Sequence, residues 1–288
     1  MPPNAPSVAA DPTGYCADLV RRLDHDRYLC TLFAPAGSRP YLLALYAFNI
    51  EIARVREQVS EPLLGHMRLQ WWRETLAEMS TGRIRQHPVA IALAAAIDAC
   101  RLPGEAFERL LVARESDLDD TPPADVAALE VYAEVTSATL VRLAAAVLGA
   151  RGPQVEAAAR HVGISWALVG LLRAVPFHAS QRRLYLPRDL LARAGIEAQS
   201  IFEGKPSAGL NLIVREIAGR AAQHLEDARA LRREIPRAAL AALLPARLAD
   251  LYLRRLAGVG YAPFAPALHR PAGMRALRLT IASLLGRY

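Results

Sequence analysis

Carboxylates three or four residues apart on a helix can hold a divalent cation, and two stretches of this 288-residue chain come near that pattern. The first, LYAFNIEIARVREQVSEP, runs from Leu45 to Pro62 and carries Glu51, Glu57 and Glu61. Glu51 and Glu57 are six residues apart, about 240° round a helix, so they cannot both face one ion. Glu57 and Glu61 have better spacing, but Pro62 follows at once and ends the helix. The second stretch, ARESDLDD at 113–120, offers Glu115, Asp117, Asp119 and Asp120. A solvated helix terminus is the expected role of that cluster.

Basic groups are more numerous. Arg54 and Arg56 interrupt the first stretch, Arg173 ends an apolar run, and Arg182, Arg183, Arg188 and Arg193 lie within the segment 178–207. A guanidinium binds phosphate or carboxylate through two parallel hydrogen bonds, which makes these candidates for anion binding. For Arg54 and Arg56 the competing role is pairing with Glu51, Glu57 or Glu61. Arg173 has apolar flanks, so burial is expected, and a buried guanidinium needs a partner such as Glu51. His66, His87 and His178 have no ligand spacing and are expected to cap helices or sit at the surface. Trp71 and Trp72 should divide between core and surface. Cys16, Cys30 and Cys100 are odd in number and lack a CxxC spacing, which argues against a disulfide framework or a zinc–thiolate site.

The elements that must position these groups are helical. Pro and Gly punctuate the chain into segments at 13–24, 38–57, 62–80, 88–101, 105–116, 124–149, 153–177, 208–233, 237–256 and 272–286, with no alternating strand pattern. In 124–149 apolar residues recur at three- and four-residue steps. In 153–177 they cover nearly every face beyond Val162, so that helix should be central. Hydrophobic residues are 53% of the chain and aromatics 6%, leaving Ala and Leu to fill closely packed helices. Residues 1–12 are expected to be a disordered lead-in without a secretory pattern, followed by one helical domain over 13–288. No run is expected to reach the roughly 18–20 apolar residues that span a bilayer. The net charge of +7 is carried almost wholly by arginine. Without a nucleic-acid motif or interleaved aromatics, it does not call for a nucleic-acid partner.

Four strings, in order, resemble the squalene/phytoene synthases: TLFAPAGSRPYLLALYAFN, HMRLQWWRETLAEMSTGRIRQHPVAIAL, VYAEVTSATLVRLAAAVLG and VGISWALVGLLRAVPFHASQRRLYLPRDLL. The resemblance implies an all-α, single-domain isoprenoid synthase fold with helices around a central cavity. Members join two prenyl diphosphates, and Mg2+ neutralises the departing diphosphate. They carry a DDxxD cluster after YAF; here its positions fall on Ala53, Arg54, Val55, Arg56 and Glu57. Their second cluster lies in QLTNxLRDxxxD, matched here by Ala167, Gly170, Arg173, Ala174 and His178. Arginine persists, but the Gln, the Asn and both Asp do not. The string RRLYLP matches the diphosphate-binding RxYLP at Arg183, Tyr185, Leu186 and Pro187.

Within that family the chain resembles the phytoene-synthase-like assembly factors of respiratory complex I, sharing AFNxE with VSE, and LRAxPxH. This implies a non-catalytic protein that binds a ligand or assists assembly, complex I assembly being the specific form. The alternative is an active prenyltransferase whose reduced metal site draws on Glu51, Glu57 and the acids at 115–120. The expected ligand-binding set is Tyr46, Phe48, Glu51, Arg54, Glu57, Arg173, His178, Arg182, Arg183 and Tyr185, with no catalytic residue and no metal ligand. No cofactor is expected, Mg2+ entering only under the alternative. Expected partners are a prenyl diphosphate or lipid in the cavity and a membrane protein complex. The expected location is cytoplasmic, extending to a peripheral position on the inner face of the membrane. There the last segment would present Leu277, Ile281, Leu284 and Leu285 beside Arg275, Arg278 and Arg287, the competing role being a closing helix packed on the core.

Overall fold

The computed structural model describes residues 11–270 and 272–288. Up to Ala10, the lead-in expected over 1–12 lies outside the described residues; helix begins at Pro12. Secondary structure among the described residues is helical, without a strand. The helices are α1 (Pro12–Leu23), α2 (His25–Thr31), α3 (Arg39–Ala53), α4 (Pro62–Ser80), α5 (Pro88–Cys100), α6 (Gly104–Glu115), α7 (Val126–Ala133) and α8 (Thr139–Val147). They continue as α9 (Pro153–Arg173), α10 (Val175–Ser180), α11 (Arg188–Arg193), α12 (Ala198–Phe202), α13 (Ala208–Ala230), α14 (Leu240–Leu243), α15 (Pro245–Gly258), α16 (Pro266–His269) and α17 (Arg275–Leu284).

Prolines begin α1, α4, α5, α9, α15 and α16, because the first helical residue has no intrahelical partner for its N–H. Side-chain caps reinforce several starts: Asp11 accepts from Gly14 N–H at 2.8 Å, and Asp125 accepts from Ala128 N–H at 2.8 Å. This punctuation explains why the expected starts at 62, 88 and 153 coincide with the structure.

The chain forms two compact units. Among the described residues, one contains 11–119, with Arg142–Arg151 and Pro236–Ala242; the other contains Asp120–Val141, Gly152–Ile235 and the described part of 243–288. In the first unit α3 packs against α1 and α5, and α4 packs against α6. The α3 segment Leu42–Ile50 is continuously buried, and Phe48 meets Trp72 and Phe107 edge-on at 5.2 and 5.5 Å. In the second unit α9 is the centre, covered by α7, α13 and α15 and by the segment Glu134–Ala138. The expectation of a central helix from its all-round apolarity is met.

Five expectations need correction. The helix expected over 38–57 stops at Ala53, where Val55 N–H turns to the carbonyl of Ile52 and the chain tightens into 3-10 geometry over Arg56–Gln58. The helix expected over 153–177 breaks at Ala174, because Pro176 has no N–H to continue the ladder. The segment 124–149 contains a π-helical turn at Glu134–Ala138 between α7 and α8, and the loop expected at 178–207 holds α11 and α12. Finally, α9 is long and apolar enough to cross a bilayer by length and composition, contrary to the expectation that no run would be. Its packing within the second unit makes it a core helix.

Candidate binding site

In the first unit the site is built on the end of α3 and on α4. Glu51, on the last turn of α3, lines a cavity of about 230 Å³ with Val55, Arg68, Trp71, Trp72 and His87. Trp71 and Trp72 meet edge-on at 5.0 Å, and His87 stands edge-on to both at 5.5 Å. Trp72 is buried and Trp71 half-buried, the division expected from sequence. His87 sits at the N-cap of α5 without a side-chain capping bond. Burial holds its imidazole below the ordinary histidine range, partly offset by the Glu51 carboxylate. The same carboxylate, after burial, helps push the Cys16 thiol up to about 12. Arg68 donates to Gln58 Oε1 at 2.6 Å across the mouth. The result is an aromatic recess with one carboxylate and one guanidinium, suited to a ligand with an apolar body and a polar end.

The positions after α3 do not form a metal platform. Ala53 ends the α-helix, Arg54 follows with φ −95° and ψ 1°, and Arg54 Nε lies 3.3 Å from Glu57 Oε2. Positions 53 and 57 therefore lack the continuous helical register that lets carboxylates converge on an ion. Tyr46 and Phe48 of the candidate set are buried core residues, Tyr46 lying 5.7 Å beneath the Arg27 guanidinium.

In the second unit α9, α10 and the strap leading to α11 bring together His178, Arg183 and Tyr185. These line a crevice of only about 10 Å³ with Leu129, Leu172 and Ile217. The rings of His178 and Tyr185 are 4.6 Å apart, and Arg183 Nη2 donates to Tyr185 Oη at 3.3 Å. Arg183 Nε also lies 3.3 Å from Asp120 Oδ1, so an acid of this chain occupies the side of the guanidinium that an anionic ligand would take. Arg182, in the left-handed region at φ 54°, donates instead to Gln199 Oε1 at 3.1 Å and lies over Phe202. Arg173 is exposed rather than buried, and its guanidinium lies 3.5 Å over the ring of Tyr252. The sequence offered Glu51 as the partner of Arg173 and did not point to Tyr252, which is remote along the chain.

The acids at 113–120 also lead away from a common ion. Glu115 pairs with Arg73 at 2.9 Å, and the buried Asp117 pairs with Arg114 at 3.0 Å. Sequence reasoning missed Arg68 and Val55 as cavity lining and treated His87 only as a cap or surface group. The i, i+3 and i, i+4 steps from Arg68 to Trp71 and Trp72 were the available signal.

Residues 20–278 match the model of the squalene/phytoene synthase family. The chain belongs to this family. It is 34% identical over 274 residues to NADH dehydrogenase (ubiquinone) complex I, assembly factor 6 from Bos taurus, covering 95% of this chain and 82% of that protein. The Homo sapiens protein of that name is 33% identical, with 93% and 81% covered. A phytoene synthase from Rhodobacter capsulatus is 24% identical, over 72% of this chain and 61% of that enzyme. Among solved structures, a dehydrosqualene synthase in complex with ligand superposes with a TM-score of 0.82 at 18% identity, covering 95% of each chain. The squalene synthase HpnC from Alicyclobacillus acidocaldarius gives 0.77 at 20%, over 87% of this chain and 94% of that one. Both support the all-α isoprenoid synthase fold. The Mg2+ that this fold family implies is not matched at the family's motif positions, which keep a carboxylate only at Glu57, beyond the end of α3 and paired with Arg54.

Proposed function

We propose that this squalene/phytoene synthase family member is non-catalytic and acts by binding, in the assembly of a membrane protein complex of the respiratory complex I type. The observation that carries this reading is the absence of an acidic platform at both family positions: Ala53 to Glu57, where the helix also ends, and Ala167 to His178. Its similarity to complex I assembly factor 6 proteins over nearly the whole chain supports the choice of client. No cofactor is required by this reading. A prenyl diphosphate or lipid is the proposed ligand, for which the ligand-bound dehydrosqualene synthase is structural support. The proposed location is the cytoplasm, with peripheral attachment to the inner face of the membrane.

The test is incubation of the full chain with farnesyl and geranylgeranyl diphosphates and Mg2+, following release of inorganic diphosphate and formation of squalene- or phytoene-type products. No turnover is expected, and turnover would establish the prenyltransferase alternative instead. In parallel, deletion in the source organism is expected to lower the amount of assembled NADH dehydrogenase complex. Unchanged assembly would remove the proposed client.

A further inference from the structure

Away from the family's motif positions, α9 and α13 bring two imidazoles face to face. His161 Nδ1 lies 2.9 Å from His224 Nδ1. Asp227, three residues beyond His224 on α13, places Oδ2 3.7 Å from His161 Nδ1. All three donor atoms lie within 4.8 Å of one another, the one such group of three among the described residues. We propose that His161, His224 and Asp227 form a site for a divalent transition metal of the zinc class, clamping α9 to α13.

The donor set selects this class. Two imidazoles and a carboxylate suit zinc and its neighbours, whereas magnesium and calcium favour all-oxygen sites. Zinc binds such atoms at about 2.0–2.2 Å in tetrahedral array, which separates the donors by about 3.3 Å. The separations of 2.9 and 3.7 Å reach that spacing with shifts of a few tenths of an ångström, and the third, from His224 to Asp227, lies within 4.8 Å and closes by rotation of the part-exposed Asp227 side chain.

The surroundings orient the ligands as a metal requires. Glu130 Oε1 lies 3.4 Å from His224 Nε2, on the opposite side of the ring from the shared point. The pair does not meet hydrogen-bond geometry, but the negative charge there favours the proton on Nε2 and so leaves the Nδ1 lone pair facing His161. Glu130 is itself fixed by Arg220 through two bonds of 2.8 and 3.1 Å. Gln223 Nε2 donates to Asp227 Oδ1 at 3.0 Å, leaving Oδ2 turned to the cluster. The nearby cation of Arg160 is balanced by Glu134 at 2.9 Å. His224 is 7% exposed, while the Asp227 side chain is 42% exposed, so a water can complete the fourth position from the solvent side. The competing arrangement is a plain hydrogen bond from a protonated His161 Nδ1 to His224 Nδ1. That arrangement needs one proton and no ion, and it is what the test distinguishes.

Full-length protein, stripped with a chelator and dialysed, is titrated with zinc chloride by calorimetry and with cobalt chloride by visible absorption. One ion per chain, intense tetrahedral cobalt bands and a zinc-dependent rise in Tm are expected. His161→Gln, at the more exposed ring, should weaken binding at least tenfold. Glu130→Gln, which touches no ion, should weaken it about 10- to 100-fold. Retained helical circular dichroism certifies each variant as folded; should His224→Gln fail that check, the other two variants carry the test. Absence of zinc binding at micromolar concentrations, an equal response to Mg2+, or wild-type affinity in His161→Gln and Asp227→Asn would each overturn the site. Neither outcome depends on whether the protein turns over prenyl diphosphates.

Discussion

At the residue scale, the cavity beside Glu51 owes its character to His87, whose half-buried ring resists protonation. The unfolded chain takes up a proton near the ordinary histidine pKa of about 6.5, while the folded state refuses it until lower pH. Stability from this residue is therefore fully present above about pH 6.5 and is lost as pH falls toward the depressed folded value. Urea unfolding midpoints should decline between about pH 7.5 and about pH 5, and His87→Gln should flatten that decline. His161 and His224, also held low chiefly by burial, contribute in the same direction, so only the share belonging to His87 disappears. An unchanged slope in the variant would mean that His87 protonates freely in the folded state. The Arg183–Asp120 pair offers little by comparison. Its Asp120 side chain is 54% exposed, and pairs of that kind contribute less than about 1 kcal/mol.

At the element scale, the packing of α9 depends on one glycine. A Cβ built at Gly163 would lie 2.2 Å from Ala138 Cα, a backbone atom of the π-helical turn that cannot swing aside. Gly163→Val should therefore destabilise by about 1–3 kcal/mol or more, through overpacking of a close helix contact. Chemical denaturation would show this as a lower midpoint at unchanged slope, and a variant as stable as the native chain would contradict the contact. The breaks at Ala53 and Ala174 act at the same scale. They remove the helical register on which the family's acids depend, so the loss of acids and the change of backbone point the same way.

At the scale of the whole molecule, the last helix joins the second unit to a surface suited to lipid. Leu279 and Ala282 of α17 are buried, and α17 packs on α15, so the helix closes the core as the sequence allowed. Leu277, Ile281, Leu284 and Leu285 nevertheless remain exposed, beside Arg275, Arg278 and Arg287. Vesicles containing anionic lipid should co-sediment the protein, with binding that weakens as salt rises, while neutral vesicles should retain less. Replacing Ile281 and Leu284 with Ser should abolish co-sedimentation without unfolding the chain. Persistence of binding in that variant would assign the membrane contact elsewhere.

Local chemistry made much of the fold legible. Pro62, Pro88 and Pro153 mark helix starts because a proline lacks the N–H that a first helical residue leaves unused, and apolar residues on every side of α9 require burial on every side. The loss of all but one acid, Glu57, across Ala53 to Glu57, and of every acid across Ala167 to His178, is likewise visible in the residues alone. What depended on distance along the chain was not legible. Arg173 rests on Tyr252, Arg183 turns to Asp120, and His161 meets His224, because packed helices bring together side chains whose positions in the chain carry no mutual spacing signal. Residue order thus determined which helices form and which chemistry is missing. Tertiary packing decided which charged groups and ring nitrogens face one another, since those meetings follow from how α9, α13 and α15 are laid side by side.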